Sequence, residues 1–286
     1  MLHTTKAAFK LIQFTDTHIG SYPFVADDLR TLEQVAATIA AEQPDLITIT
    51  GDLIWSDGVV EPQRGLHALI EVLNRFDVPV FVTFGNHDSE ETFTRTSLRA
   101  MVDAELKHQV AKAHHVIDDA GKEAYAIEIA DDSGLRHVLY VFDSGANAAF
   151  DQESYDVVSL TQIAWYEQMQ AHYQQASVDA AFMHIPLPEY NQAGEHITSG
   201  FFWDQNPRVA ASKLNTGLFA RLQHNGIQAV FCGHDHDNNF SGDWLGVACH
   251  YGNVSGYNCY GDLPRGYRTI TLTADGIDST VKQYPR

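Results

Sequence analysis

The stretch Pro44-Asp45-Leu46-Ile47-Thr48-Ile49-Thr50-Gly51-Asp52 decides how this chain is read. Pro44 halts whatever helix precedes it, because proline supplies no amide and its ring clashes one turn back. Leu46 to Thr50 is a continuous β-branched and apolar run, the signature of a buried strand. A Gly-Asp pair then closes it, so a carboxylate sits at the strand's C-terminal end. The same unit recurs in both directions along the chain. KLIQFT runs into Asp16-Thr17-His18, VPVFVTF into Gly85-Asn86-His87-Asp88, DAAFM into His184, and IQAVF through Cys232 into Gly233-His234-Asp235-His236.

Helical patterns separate these strands. Asp27–Glu42 carries Leu29, Leu32, Val35, Ala36 and Ile39 at helical spacing with Asp27 as the expected cap, and Glu61–Phe76 repeats the pattern. Thr94–Lys107 and Ser159–Gln175 follow, the latter opening on a Ser-x-x-Gln capping signal. Tyr125–Ala130 and Arg136–Phe142 flank Asp131-Asp132-Ser133-Gly134, a hairpin signal. The C-terminal third adds strands over Gly246–Tyr251, Tyr267–Thr273 and Ile277–Gln283, the last two joined by Ala274-Asp275-Gly276. The expected fold is an α/β, four-layer αββα sandwich forming a single domain over residues 1–286. Two Gly-rich aromatic stretches, Asn191–Arg208 and Gly252–Gly266, read as long loops, and loops of that length are usually functional.

Composition narrows the function. With 44% hydrophobic residues, the 286-residue chain can bury a large core. No apolar run approaches the ~20 residues of a membrane-spanning helix and the N-terminus lacks an export pattern, so a cytoplasmic location is expected. Cys232, Cys249 and Cys259 are odd in number and outside any metal-binding spacing; each reads as a small buried residue. The 37 acidic against 18 basic residues, a net charge of −19, disfavour nucleic-acid duplexes and anionic membranes and favour a small phosphate ester or phosphopeptide.

The polar clusters supply a metal-binding inventory. Asp16 and His18 converge on one ion if strand alternation relaxes beyond the last paired residue, and the two oxygens of Asp52 suit it to bridge two ions. The expected sets are Asp16, His18, Asp52 and His236 for one ion and Asp52, Asn86, His184 and His234 for the other. Imidazole and oxygen donors without sulfur suit Mn, Fe or Zn. Two such ions ~3.5–4 Å apart activate water near neutral pH and clamp the attacking and leaving oxygens of a phosphoryl transfer. His87, beside Asn86, is the expected catalytic acid, and Asp88 is expected to orient the His87 ring or another group near the ions. Phe201, Tyr257 and Tyr260 are the candidate substrate contacts. His196 and His250 lie near the loops and are weaker candidates; Arg208 and Arg265 read as solvated loop charges, and His3, His114 and His115 as exposed.

The ordered motifs DxH, GD, GNHD, a lone His and GHDH resemble the calcineurin-like metallophosphoesterases. PDLITITGD, FGNHDSEETFTR, YVFDSG, HIPLPEY, FCGHDHDNNFSG and HYGNVSGYNCYG resemble the purple acid phosphatase 29-like and Dcr2-like branch. The family implies an αββα sandwich, a dinuclear centre with the same ligand roles, and phosphatase activity. Purple acid phosphatases place a tyrosine ligand three residues after the GD aspartate. Here that residue is Trp55, so the resemblance implies a centre without tyrosinate and without a required ferric ion. A phosphomonoesterase is the first reading, a phosphodiesterase the alternative, and a non-catalytic scaffold the third.

Overall fold

A computed structural model describes residues 1–90, 93–151, 153–173 and 178–285. The smaller sheet contains β2 (Phe9–Phe14), β3 (Leu46–Thr50), β4 (Val80–Thr83), β13 (Gly266–Thr273) and β14 (Gly276–Gln283), ordered β14-β13-β2-β3-β4. β2, β3 and β4 run parallel, joined over one face by α1 (Ala26–Glu42) and α2 (Gln63–Leu73). The larger sheet contains β1 (Leu2–His3), β5 (Ala113–Ile117), β6 (Glu123–Asp131), β7 (Gly134–Phe142), β8 (Val178–Phe182), β9 (Ile197–Ser199), β10 (Ala229–Cys232), β11 (Ser241–Trp244) and β12 (Val247–Tyr251). Its order is β1-β6-β7-β8-β10-β12-β11-β9, with β5 also on β6.

Side-chain alternation explains the layering. Leu46 of β3 faces inward with Leu11, Phe81 and Ile270, meeting Tyr125, Leu139, Phe182 and Phe231 of the larger sheet. Ile47 and Ile49 face outward beneath α1, α2 and α3 (Arg95–Glu105). The larger sheet's outer face packs on α4 (Leu160–His172), α5 (Tyr190–Gly194) and α6 (Leu218–His224). Four layers in the order α, β, β, α result, as the strand and helix pattern predicts.

The boundaries carry some corrections. α1 starts at Ala26, and Asp28 rather than Asp27 serves its start, its carboxylate accepting from the Val25 and Gly20 amides at 3.1 and 3.0 Å. The stretch Asn191–Arg208 is partly regular, holding most of α5 and all of β9, an exposed three-residue strand paired with β11. Ser159 caps α4 with Gln162 as expected, but the helix ends at His172; Gln174 and Gln175 lie outside the described residues. No helix among the described residues is long and apolar enough to cross a membrane.

One buried cation fastens the sheets together. Arg268 on β13 has no exposed surface and donates to the Tyr251 and Asn239 carbonyls and to the Ser241 and Ser279 hydroxyls at 2.7–3.0 Å. Burial pulls its pKa down to about 10. Tyr251 in turn donates its hydroxyl to Asp235 at 2.5 Å, which ties Arg268 to the GHDH loop.

Candidate metal centre

All five motif loops leave the C-terminal ends of parallel strands: β2, β3 and β4 from one sheet, β8 and β10 from the other. They meet where the two sheets face each other, the usual location of ligand sites in open α/β sheets. Asp16 and His18 lie beyond the end of β2, and their side-chain directions are set by backbone conformation rather than by strand alternation. Asp16, His18, Asp52 and His234 have φ of 54°, 45°, 49° and 81°, left-handed values that non-glycine residues adopt at a cost of order 1–3 kcal/mol each. Four residues from three of the motif loops are held this way, and their side chains turn toward one cluster.

Glycines make the approach possible. A Cβ on Gly51 would run into the His184 ring, one on Gly85 into Asp52 Oδ1, and one on Gly233 into Thr15 Oγ1.

The result is two buried trios, Asp16 with His18 and His236, and Asp52 with His184 and His234. In the first, His18 Nε2 and His236 Nε2 stand 3.1 Å apart and His236 Nε2 lies 3.3 Å from Asp16 Oδ1. In the second, His184 Nε2 lies 3.1 Å from Asp52 Oδ2 and 3.2 Å from Asn86 Oδ1. Asp52 Oδ2 is also 3.6 Å from His18 Nε2, so this one oxygen stands between the trios. The other, Oδ1, accepts the His87 amide at 2.8 Å.

Hydrogen bonds behind the cluster set which ring nitrogen faces it. His184 Nδ1 donates to the Thr50 carbonyl at 2.8 Å and His236 Nδ1 to the Tyr260 carbonyl at 3.1 Å, leaving both Nε2 atoms turned inward.

The donor set fits two cations. Both ring nitrogens of His234 and Nδ1 of His18 are buried without a hydrogen-bond partner, an arrangement that costs free energy unless something else engages them. Burial drives His18 and His234 down to about 3, so both rings are neutral, the form that binds a metal. Burial also disfavours the charge on His184, but Asp52 outweighs it and brings His184 up to about 9. His236 is likewise raised through Asp16 against the penalty of burial, and Asp16, despite burial, is held at about 2 by His236. Each trio thus pairs a carboxylate with one positive charge in the place a cation would take.

The residues expected around the cluster divide. His87 is three-quarters buried beside it, but its Nδ1 bonds to Glu90 Oε1 at 2.9 Å, not to Asp88. Asp88 is turned the opposite way: its oxygens accept the amides of Leu53, Ile54 and Gly85 at 2.8, 3.1 and 2.7 Å, so it orders the two loops that carry Asp52 and Asn86. Burial and the Asp52 charge raise the Asp88 carboxyl to about 7.

Trp55 stacks on the His18 ring at 4.0 Å and meets His87 edge-on at 4.5 Å. Tyr260 stacks on His236 at 4.0 Å and keeps 58% of its surface exposed, which places it at the mouth. Tyr257 is elsewhere: the Arg30 guanidinium covers its ring at 3.8 Å and Tyr284 stacks beside it, because it packs on α1. Phe201 is exposed, with Trp203 as its aromatic neighbour.

His250 is buried against Phe231 and bonded to Ser241, and His196 stacks on Trp244. Arg208 and Arg265 are spent on neighbouring backbone carbonyls, Arg208 also on Glu195. Two site residues were not anticipated. Tyr155 presents its ring edge-on to His234 at 4.2 Å, and no sequence signal marks it. Glu90 had one: it lies three residues after His87, and in a 3₁₀ turn positions i and i+3 eclipse.

The calcineurin-like phosphoesterase family model matches residues 9–238, which takes in every motif loop. The chain belongs to the calcineurin-like phosphoesterases. This phosphoesterase is 30% identical to the Arabidopsis thaliana protein named "Probable inactive purple acid phosphatase 29", over 93% of this chain and 77% of that one. It is 28% identical to phosphatase DCR2 of Saccharomyces cerevisiae, over 83% of this chain and 45% of that protein. Among solved structures, a dimetal phosphatase from Danio rerio superposes with a TM-score of 0.66 at 14% identity, covering 97% and 99% of the two chains, a likeness of fold. As a family member the chain is a phosphoric-ester hydrolase; the family is one of dinuclear metal phosphoesterases, and this chain has two clusters that could each hold an ion.

Proposed function

We propose that the chain is a phosphomonoesterase acting on a small phosphate ester or phosphopeptide, its residues working as one domain. Asp16, His18, Asp52 and His236 would hold one divalent ion and Asp52, Asn86, His184 and His234 the other, with Mn, Fe or Zn the metals that suit the donors. The observation that carries this reading is the single oxygen of Asp52 placed between two buried trios. Bound ions would supply an activated water and neutralise phosphoryl charge.

The chain's own residues do the rest. His87, beside the cluster but outside both trios, donates a proton to the leaving oxygen. Trp55 keeps the His18 and His87 rings in place, and Tyr155 and Tyr260 narrow the entrance. The name of the Arabidopsis relative raises the scaffold reading, but all seven donors are present here and converge. Asp52→Asn is expected to cut 4-nitrophenyl phosphate hydrolysis by about 100-fold or more, and His87→Ala to cut hydrolysis of an alkyl phosphate, whose leaving oxygen needs the proton, by a similar factor; unchanged rates would sink the mechanism. Metal analysis that finds an empty site unable to be reconstituted would revive the scaffold.

A diesterase is the second reading, favoured by the commitment of Arg208 and Arg265 to carbonyls and Glu195, away from a phosphate's second charge. Comparing mono-aryl with bis-aryl phosphates separates the two.

A further inference from the structure

Glu90 is a mostly buried carboxylate beside the site, 17% exposed, and both its oxygens are occupied. Oε1 bonds His87 Nδ1 at 2.9 Å, while Oε2 accepts the Asp57 amide at 3.0 Å. Ser56 closes the arrangement, donating its hydroxyl to the His87 carbonyl at 2.6 Å and accepting the Glu90 amide at 2.8 Å. The 3₁₀ turn His87–Ser89 places the two side chains over one another, and the Trp55 ring bounds His87 on another side.

His87 therefore has one nitrogen engaged and one, Nε2, remaining, with the His18 ring 5.3 Å away and its own amide anchored on Asp52. The carboxylate that meets His87 arrives from the same turn.

We propose that Glu90 is the positioning residue for His87: by accepting the Nδ1 proton it fixes the ring so that Nε2–H is delivered to the leaving oxygen of the ester. This rests on the phosphoesterase reading above. In the step, a water oxygen bonds to phosphorus as the ester P–O bond breaks. The Nε2 proton goes to the departing oxygen, and solvent restores it.

A leaving group that needs a proton exposes the contact. Glu90→Ala is expected to slow an alkyl phosphate by about 10–100-fold, in the range for residues that orient a catalytic group. Hydrolysis of 4-nitrophenyl phosphate, whose leaving group departs unaided, should fall less than about 3-fold, because acid assistance contributes little there. In a His87→Ala background, adding Glu90→Ala should change neither substrate by more than about 2-fold, since coupled residues are not additive.

Glu90→Gln, with one acceptor oxygen in place of two, should fall between wild type and Glu90→Ala, and it serves if the alanine variant does not fold. Nitrogen-15 NMR of metal-free protein should show a protonated Nδ1 at His87 that is lost in Glu90→Ala. Equal slowing of both esters, additivity with His87→Ala, or an unchanged His87 signal would each overturn the proposal. A wild-type protein inert toward all esters would instead overturn the phosphoesterase reading, while the NMR signal still decides the Glu90 contact.

Discussion

Gly85→Ala should empty the second trio's site of metal while leaving the fold standing. The residue's φ lies outside the left-handed range, so alanine meets no backbone penalty there. The difficulty is space. A methyl carbon would lie 2.5 Å from the Asp52 amide nitrogen and 2.6 Å from His184 Nε2, and would overlap Asp52 Oδ1. Ordinary contact needs about 3.5 Å, so Asp52 and His184 must part by roughly 1 Å. Metal coordination tolerates about 0.2 Å, and 1 Å errors in reacting geometry cost about 100-fold in rate.

Overpacking of this size costs about 1–3 kcal/mol in stability. At roughly 2.1 cal/mol/K per residue, a chain of this length loses about 1.7 °C of Tm per kcal/mol, so the expected drop is about 2–5 °C. The assay is elemental analysis of purified protein with a parallel melt: bound metal falls by about half and activity by 100-fold or more, with a cooperative transition retained. Gly246→Ala is the control. It has φ +81° and open space, so it strains the backbone by about 1 kcal/mol and spares the metal. Full metal content and wild-type kcat in Gly85→Ala would refute the packing argument.

Arg268→Met removes the donors to three buried acceptors and to the partly buried Ser279 hydroxyl, and the loss of several buried hydrogen bonds predicts at least about 3 kcal/mol, a Tm lower by about 5 °C in calorimetry. Asp88→Asn leaves at least one of three loop amides unpaired, so it should cost about 1–3 kcal/mol and weaken metal affinity about 10–100-fold by competition titration. Asp179, raised by burial to about 6, loses stability as pH climbs from its unfolded value near 4 through 6. Asp179→Asn should therefore match wild type near pH 4 and exceed it at pH 7 by up to about 3 kcal/mol, read from denaturant melts at both pH values.

The sandwich and the meeting of the seven polar side chains were readable because each rests on a strong local signal: a run of buried strand residues followed by a polar cluster. The convergence of Asp16 and His18 was readable, but its means was not. Past β2 the backbone takes positive φ, as it does at four of the clustered residues, and residue type alone does not announce that. Short elements were missed for a related reason. β9 is wholly exposed and exists through its pairing with β11, so its own three residues carry no pattern. Of the two partners expected for Asp88, the structure pairs it with the loop amides rather than with His87, because a 3₁₀ turn sends neighbours apart and brings the third residue back. Of the aromatic loop residues, Tyr257 packs on the core beside α1 and Phe201 stays exposed, a division that residue type alone does not announce.

The strained backbone bears on whether the site is a relic. Four left-handed non-glycine residues cost several kcal/mol together, and the same cluster buries two carboxylates and leaves three imidazole nitrogens without partners. None of this helps the fold by itself: a scaffold would be more stable with glycine or asparagine at those turns and apolar side chains between the sheets. Two cations would offset the buried carboxylate charge and engage one of the orphaned His234 nitrogens as well. The Asp88 and Glu90 contacts then have a purpose as well, since one fixes the loops that present the donors and the other holds a histidine that no trio contains. A site held under strain and braced from behind is arranged for chemistry at its centre.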